Sequence, residues 1–386
     1  MLKRRTDLAL EAKELWTESA EKETKLEGVR ARDSLREGYQ VTTVDILDEQ
    51  GASSLGKPVG SYVTVQLDAL ARREEDAFGR AARAIAAELN GLLKLPEEAT
   101  CLVVGLGNRA ITPDAIGPGV ADHTMVTRHL VEQAPEHFGS FRPVAALAAG
   151  VLGTTGVESG ELVKAVAEKI RPGCIIAVDA LASRSMDRVC TTVQLANTGI
   201  VPGSGVGNHR AALNRETLGV PVIAVGVPTV VDAGTLAADI LAEAGQEGLD
   251  PEALAGAGEG LMVTPRDIDQ RVADLVKVIG YGINLALQPG LTIEAVDLFL
   301  SGGGPDDQRA KHAAAQAAQP GGIDFRRAQI KYGAPVGCPS HGEQRVRDQP
   351  GASAWLDNRG CGSVSEPIGL CGQKGSARTS PNPGAP

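Results

Sequence analysis

Two aspartates in this sequence lie where apolar, strand-length runs give way to loops. Asp114 falls in Ile111-Thr112-Pro113-Asp114-Ala115-Ile116-Gly117-Pro118, just after Leu102-Val103-Val104 and the turn Gly105-Leu106-Gly107-Asn108. Asp179 ends a second apolar run, Cys174-Ile175-Ile176-Ala177-Val178. In open α/β sheets, sites gather outside the carboxyl ends of parallel strands, so the two carboxylates can meet at one sheet edge. Two close carboxylates drive one pKa upward and share a proton. One then acts as a base that activates water, and the other as an acid that polarises a carbonyl. The plainer reading of Asp114 is a turn or N-cap aspartate, since Thr-Pro-Asp is good turn chemistry.

Other polar groups admit other chemistries. Gly105-Leu106-Gly107-Asn108 could be read as a phosphate loop, but it lacks the third glycine of G-x-G-x-x-G, and no G-K-[ST] follows. Gly203-Ser204-Gly205-Val206-Gly207-Asn208 offers backbone N–H groups that could shape a substrate cleft or an oxyanion site, or serve as a plain connecting loop. Gly105, Gly107, Asn108, Ser204, Gly205 and Asn208 are therefore candidate cleft residues. Ser204 has His209 within sequence reach, but no G-x-S-x-G elbow surrounds it. His123 and His129, six apart in one expected helix, do not share a face, and no H-E-x-x-H occurs. Asp232 reads as a helix-start aspartate that could also line the strand-end region.

The elements that must position these groups alternate in type. Strand-length runs are Val41–Val44, Tyr62–Leu67, Cys101–Gly105, Cys174–Val178, Thr192–Leu195 and Val222–Val225. Phe78, Ala82, Ile85, Leu89 and Leu92 mark an amphipathic helix, and Leu162, Val166 and Ile170 another. A third runs through Ile268, Val272, Leu275, Ile279 and Ile283, with Thr264 expected as N-cap and Pro265 at the first helical position. Near the start, Thr6 can cap a helix in which Leu8, Ala12, Leu15 and Trp16 share a face. Strands alternating with helices predict an α/β fold with a mostly parallel sheet covered on both faces. From Ser301 onward the chain turns rich in Gly, Pro, Ala and Gln, a composition that predicts a disordered tail over 302–386.

Composition narrows the field. The 386 residues carry a net charge of −10 and 3% aromatic residues, without the basic stripe of a direct nucleic-acid binder. No apolar run approaches the ~20 residues of a membrane span, and the charged start MLKRRTDLALEAKELW has no secretory h-region. A soluble, cytoplasmic protein is expected. The six cysteines form no C-x-x-C pair and match no common zinc module.

Together the segments TDLALE, GKPVGSYVTV, LVVGLGNRAITPDAIGP, GVLGTTGVESGE, AVDALASRS, NTGIVPGSGVGN, ETLGVPVIAVGVPTVVDA and LMVTPRDID resemble the germination protease family, in order, from residue 6 to about 300. The resemblance implies an endopeptidase that degrades small acid-soluble spore proteins, with its essential pair in T-P-D and D-A-L-A: Asp114 and Asp179. It implies similarity in fold to the hydrogenase-maturation endopeptidases, whose metal-ligating histidine has no counterpart here, so neither a metal nor another cofactor is expected. It also implies a homotetramer in the forespore or spore core, made as a zymogen. Substrates of the family are cut after an acidic and before a hydrophobic residue, in a motif beginning Thr-Glu. Thr6-Asp7-Leu8-Ala9-Leu10-Glu11 is the nearest analogue, so self-cleavage is expected between Asp7 and Leu8. The expected organisation is a propeptide over 1–7, a protease domain over 8–301 and the tail. The rival readings are a nucleotide- or small-molecule-binding module built on the GLGN turn and a non-catalytic homologue.

Overall fold

The computed structural model describes residues 6–19, 26–96, 98–203, 211–244 and 260–301. Among them, nine strands form one sheet in the order β1-β2-β3-β7-β8-β6-β4-β5, with β9 paired to β8. The strands are β1 (Val29–Arg36), β2 (Tyr39–Ile46), β3 (Gly60–Gln66), β4 (Cys101–Leu106), β5 (Val144–Gly150), β6 (Cys174–Ser183), β7 (Thr192–Ala196), β8 (Val222–Asp232) and β9 (Met262–Val263).

The fold is α/β as expected, but the sheet is mixed rather than mostly parallel. β5, β4, β6 and β8 run parallel. β1, β2, β3, β7 and β9 join through antiparallel pairs. The reason lies in the connections. β1 and β2 are separated by the two residues Glu37 and Gly38, both at positive φ, and a two-residue loop can only return antiparallel. The parallel strands are separated by helices, as crossovers require.

Of the three strands that escape the periodicity argument, β9 is only two residues long, and the other two escape for opposite reasons. β1, in the charged opening zone, is almost wholly exposed, so it carries no apolar face to detect. β5 reads VAALAAG, whose alanines favour helix when taken alone.

Apolar packing divides between the two faces. On one, Val103, Ile176, Val178 and Val225 pack with Ile85, Leu89, Leu275 and Ile279 from the helices Ala77–Leu92 and Ile268–Leu287. On the other, Leu102, Val104, Ile175 and Ala177 pack with Val163 and Ala167 of the helix Ser159–Ile170. Further along this second face, Ala9, Ala12 and Trp16 lie against Val44, Tyr62 and Ala224, which seats the helix Ala9–Ser19. The Ile268–Leu287 helix starts later than its Thr-Pro signature predicts. The Thr264 hydroxyl donates to the Thr229 carbonyl at 2.8 Å, bonding β8 rather than capping a helix. Likewise Thr6 Oγ1 accepts from the Leu8 N–H at 3.0 Å, one step ahead of the helix that begins at Ala9.

Candidate active site

β4 pairs with β6 only as far as Gly105 opposite Val178. Asp179 is therefore the first residue of β6 beyond the reach of β4. β6 itself continues to Ser183 alongside β8, so Asp179 lies within a strand rather than ending one, as the sequence had suggested. It is 5% exposed, and its Oδ1 accepts from the Ala180 N–H at 2.9 Å. Alternation along β6 puts its side chain on the face of Ile175 and Ala177. Asp179 thus stands between the clusters that seat the helices Ser159–Ile170 and Ala9–Ser19.

Asp114 reaches the same region from β4. Gly107, at φ 106°, turns the chain out of the strand, in a conformation open chiefly to glycine. The Asn108 N–H then donates to Asp114 Oδ2 at 2.6 Å, a short charge-assisted bond. Asp114 closes the 3-10 turn Thr112–Asp114, which packs on β6 and β8. The helix Ile116–Asp122 follows. Its Gly117 abuts β6 so closely that a Cβ there would lie 2.5 Å from the carbonyl oxygen of Val178, the residue preceding Asp179. The aspartates so occupy adjoining elements at one end of neighbouring parallel strands.

Of the candidate cleft residues, Gly105, Gly107 and Asn108 form the path from β4 to Asp114, and Asn108 supplies a backbone donor. Ser204, Gly205 and Asn208, with His209, lie outside the described residues. Asp232 caps the helix Ala233–Glu243, accepting from Thr235 N–H at 2.9 Å and from its hydroxyl at 3.0 Å. His123 and His129 do not share one helix: His123 caps the end of the helix Ile116–Asp122, and His129 lies in the separate helix Arg128–Gln133. Among the described residues, no three His, Cys, Asp or Glu side chains form a group able to hold a metal ion. None of their helices is long and apolar enough to cross a membrane. Cys101, Cys174 and Cys190 are buried free thiols.

The segment ahead of the first helix is docked against the part of β6 that outruns β4. The Asp7 N–H donates to the Ala182 carbonyl at 3.0 Å, and Ala182 N–H donates to Asp7 Oδ2 at 2.9 Å. Gln194, a residue sequence reasoning passed over, grips both sides of the next bond. Its Nε2 donates to the Asp7 carbonyl at 3.2 Å, and its Oε1 accepts from Ala9 N–H at 2.7 Å. Gly226 pairs with Asp179 on one side and with Gln194 on the other. Cross-strand partners share a face, so Gln194 stands two strands from Asp179, roughly 10 Å away in the same row. Its signal was a lone amide within the apolar strand Thr192-Val193-Gln194-Leu195-Ala196.

Glu11 was also missed. It is 1% exposed, and its carboxylate accepts from the N–H groups of Arg184 at 2.7 Å and Ser185 at 3.1 Å. The Thr6 hydroxyl donates to it as well, and the Arg188 guanidinium lies 3.5 Å away.

The mixed α/β sheet thus carries two carboxylates on adjoining elements, beside a docked segment of the chain's own N-terminal region, an arrangement open to hydrolytic chemistry. A sequence profile described as germination protease matches residues 9–244. A germination protease of Clostridium perfringens is 45% identical over 323 residues, covering 77% of this chain and 99% of the relative. That of Caldanaerobacter subterraneus is 44% identical, covering 77% and 98%. That of Bacillus cereus is 38% identical, covering 73% and 93%. The chain belongs to the germination protease family.

Proposed function

We propose that this endopeptidase degrades small acid-soluble, DNA-binding spore proteins during germination, with Asp114 and Asp179 as a proton-sharing pair that activates water. The observation that carries the pair is the placement of Asp179 one residue past the last pair between β4 and β6, with the Asp114 turn packed on β6. Two carboxylates at close quarters hold one proton between them. The ionised member takes a proton from water as it attacks the scissile carbonyl, and the protonated member donates to that carbonyl oxygen. The Asn108 N–H, bonded to Asp114 Oδ2, holds that carboxylate in place, and other backbone donors near the site would stabilise the charge that results.

The family resemblance supports a homotetramer in the forespore, made as a zymogen with a propeptide over 1–7 and a protease domain over 8–301, and composition alone sets the tail over 302–386 apart. On this reading the enzyme cuts its own chain between Asp7 and Leu8. That bond is sequestered, since Leu8 is wholly buried and Asp7 is tied to Ala182. Ala182 lies three residues, or roughly 10 Å, beyond Asp179 on the strand. Processing thus requires residues 6–11 to undock before their peptide bond can enter a cleft.

The test is an assay of purified protein against a small acid-soluble spore protein. Fragments ending in an acidic residue, made by the wild-type chain and lost in Asp114→Asn and Asp179→Asn, support the reading. Intact substrate after exposure to the matured wild type refutes it. Equilibrium dialysis against common nucleotides addresses the GLGN rival.

A further inference from the structure

The helix Ala9–Ser19 puts Leu8 in the N-cap position, where its carbonyl accepts the first helical bond from Ala12 N–H at 3.0 Å. Glu11 is then the third helical residue. An N3 glutamate ordinarily reaches back to the N-cap N–H, completing a capping box. In the uncut chain a hydroxyl intervenes. Thr6 Oγ1 accepts from Leu8 N–H at 3.0 Å and donates to the Glu11 carboxylate.

Hydrolysis of the Asp7–Leu8 bond, the processing step proposed above and the premise of this inference, would remove that intermediary. Water adds across the bond: its oxygen goes to the new Asp7 carboxylate, and the released Leu8 amine is an ammonium at neutral pH. The cation appears at a fully buried residue, against the positive end of a helix dipole. Left unpaired there, it would be costly.

We infer that Glu11 takes the Leu8 ammonium directly, closing a charged capping box in place of the Thr6 hydroxyl. Glu11 is thereby a positioning residue of the matured enzyme. The same carboxylate binds the N–H groups of Arg184 and Ser185, immediately past the end of β6, the strand that carries Asp179. The new terminus and the catalytic strand are joined through one side chain.

The charged groups around this point are few and assignable. Arg188 lies 3.5 Å from Glu11 and pairs with Glu14 at 2.7 Å. The Arg184 side chain turns away to Asp239. Lys57 faces Asp7 and Glu11; burial pushes its pKa down, and the two carboxylates oppose that shift. Asp7 departs with the released peptide.

The experiment uses the full chain with a heterologous protease site in place of residues 1–7, cut so that Leu8 becomes the first residue whatever the enzyme does to itself. The pKa of the Leu8 amine is read from the pH dependence of its acylation. With Glu11 as partner it stands at or above the ordinary ~7.7–8.0 of an α-amine. In Glu11→Gln it falls by more than one unit, because burial, the helix dipole and Arg188 then act unopposed. The ion pair is present below the ordinary α-amine pKa and is lost as pH rises through the elevated one. Peptidase activity therefore loses its alkaline limb in the same range, and Lys57→Met separates any lysine titration from it. Should Glu11→Gln not fold, a cut that leaves one extra glycine before Leu8 keeps the carboxylate but moves the ammonium one residue away from it, and the amine then loses any elevation above the ordinary value. An amine pKa unchanged by both alterations overturns the inference. Sequencing the naturally matured terminus judges the Asp7–Leu8 cleavage separately.

Discussion

Gly105 of β4 and Gly117 of the following helix meet backbone to backbone. A Cβ on Gly105 would lie 2.1 Å from the Gly117 carbonyl oxygen, and one on Gly117 would lie 2.2 Å from the carbonyl oxygen of Leu106. Neither contact can relax by rotating a side chain, since both neighbours are main chain. Gly117→Ala must push its helix off β4 and β6, shifting the Asp114 turn that leads into it. Overpacking of this kind costs about 1–3 kcal/mol. Thermal unfolding followed by circular dichroism is expected to shift downward, with activity falling further than stability explains. Gly91→Ala is the control: nothing lies within 4 Å of its Cβ position, so removing a glycine from the helix Ala77–Leu92 stabilises by about 0.5–1 kcal/mol.

For the carboxylate pair, Asp114→Asn and Asp179→Asn each remove an ionisable group while keeping shape and an acceptor oxygen. The Asn108 and Ala180 N–H bonds can persist, so unfolding temperatures stay within a few degrees of wild type. Peptidase activity falls by roughly 10²–10⁴, the range for one acid/base partner. Full activity in either variant would refute the pair. A chelator leaves wild-type activity unchanged, whereas inhibition reversed by added metal would point to a metallopeptidase.

The elements around Asp114 and Asp179 were legible in the residue string, because their signals are local. The apolar runs ending near Gly105 and Asp179, the Thr-Pro-Asp turn and the paired glycines each leave a short-range mark. What stayed hidden depends on partners far away in sequence. Gln194 meets Asp7 across 187 residues, and Glu11 meets Arg184 across 173. Thr264 looked like a cap because its local chemistry fits one, yet its hydroxyl answers a β8 carbonyl. The antiparallel half of the sheet was obscured similarly: strand direction is set by connection length and by edge strands such as β1, not by the apolar content of each strand.

Cys190 gives an alkaline prediction. Burial pushes its thiol from the ordinary value up to about 12. A raised acid pKa means that the stabilising contribution is whole below the unfolded thiol's pKa and is lost as pH rises toward the folded one. Stability is thus expected to decline between about pH 8.5 and 12, and Cys190→Ala flattens part of that decline, as read by urea midpoints across the range. In the native state at pH 8 a small thiol reagent modifies Cys190 only at the rate of unfolding.

Gln194 offers a way to separate docking from chemistry. Its amide makes two hydrogen bonds to the segment that holds the Asp7–Leu8 bond, to Asp7 O and from Ala9 N. Gln194→Leu keeps a similar volume in the strand but removes both. Each such bond contributes about 0.5–1.5 kcal/mol, so the opening equilibrium of residues 6–9 shifts by about 1–3 kcal/mol, or roughly 5- to 150-fold at a factor of ten per 1.4 kcal/mol. Hydrogen exchange at the Leu8 and Ala9 amides should accelerate by that factor. If undocking precedes cleavage, added active enzyme should process a Gln194→Leu, Asp114→Asn chain faster than an Asp114→Asn chain by the same factor. The Asp114→Asn background removes self-cleavage from both, so only accessibility differs. Faster exchange with unchanged processing would mean that the bond is cut without leaving its dock, and that the segment's hold on β6 has no part in latency.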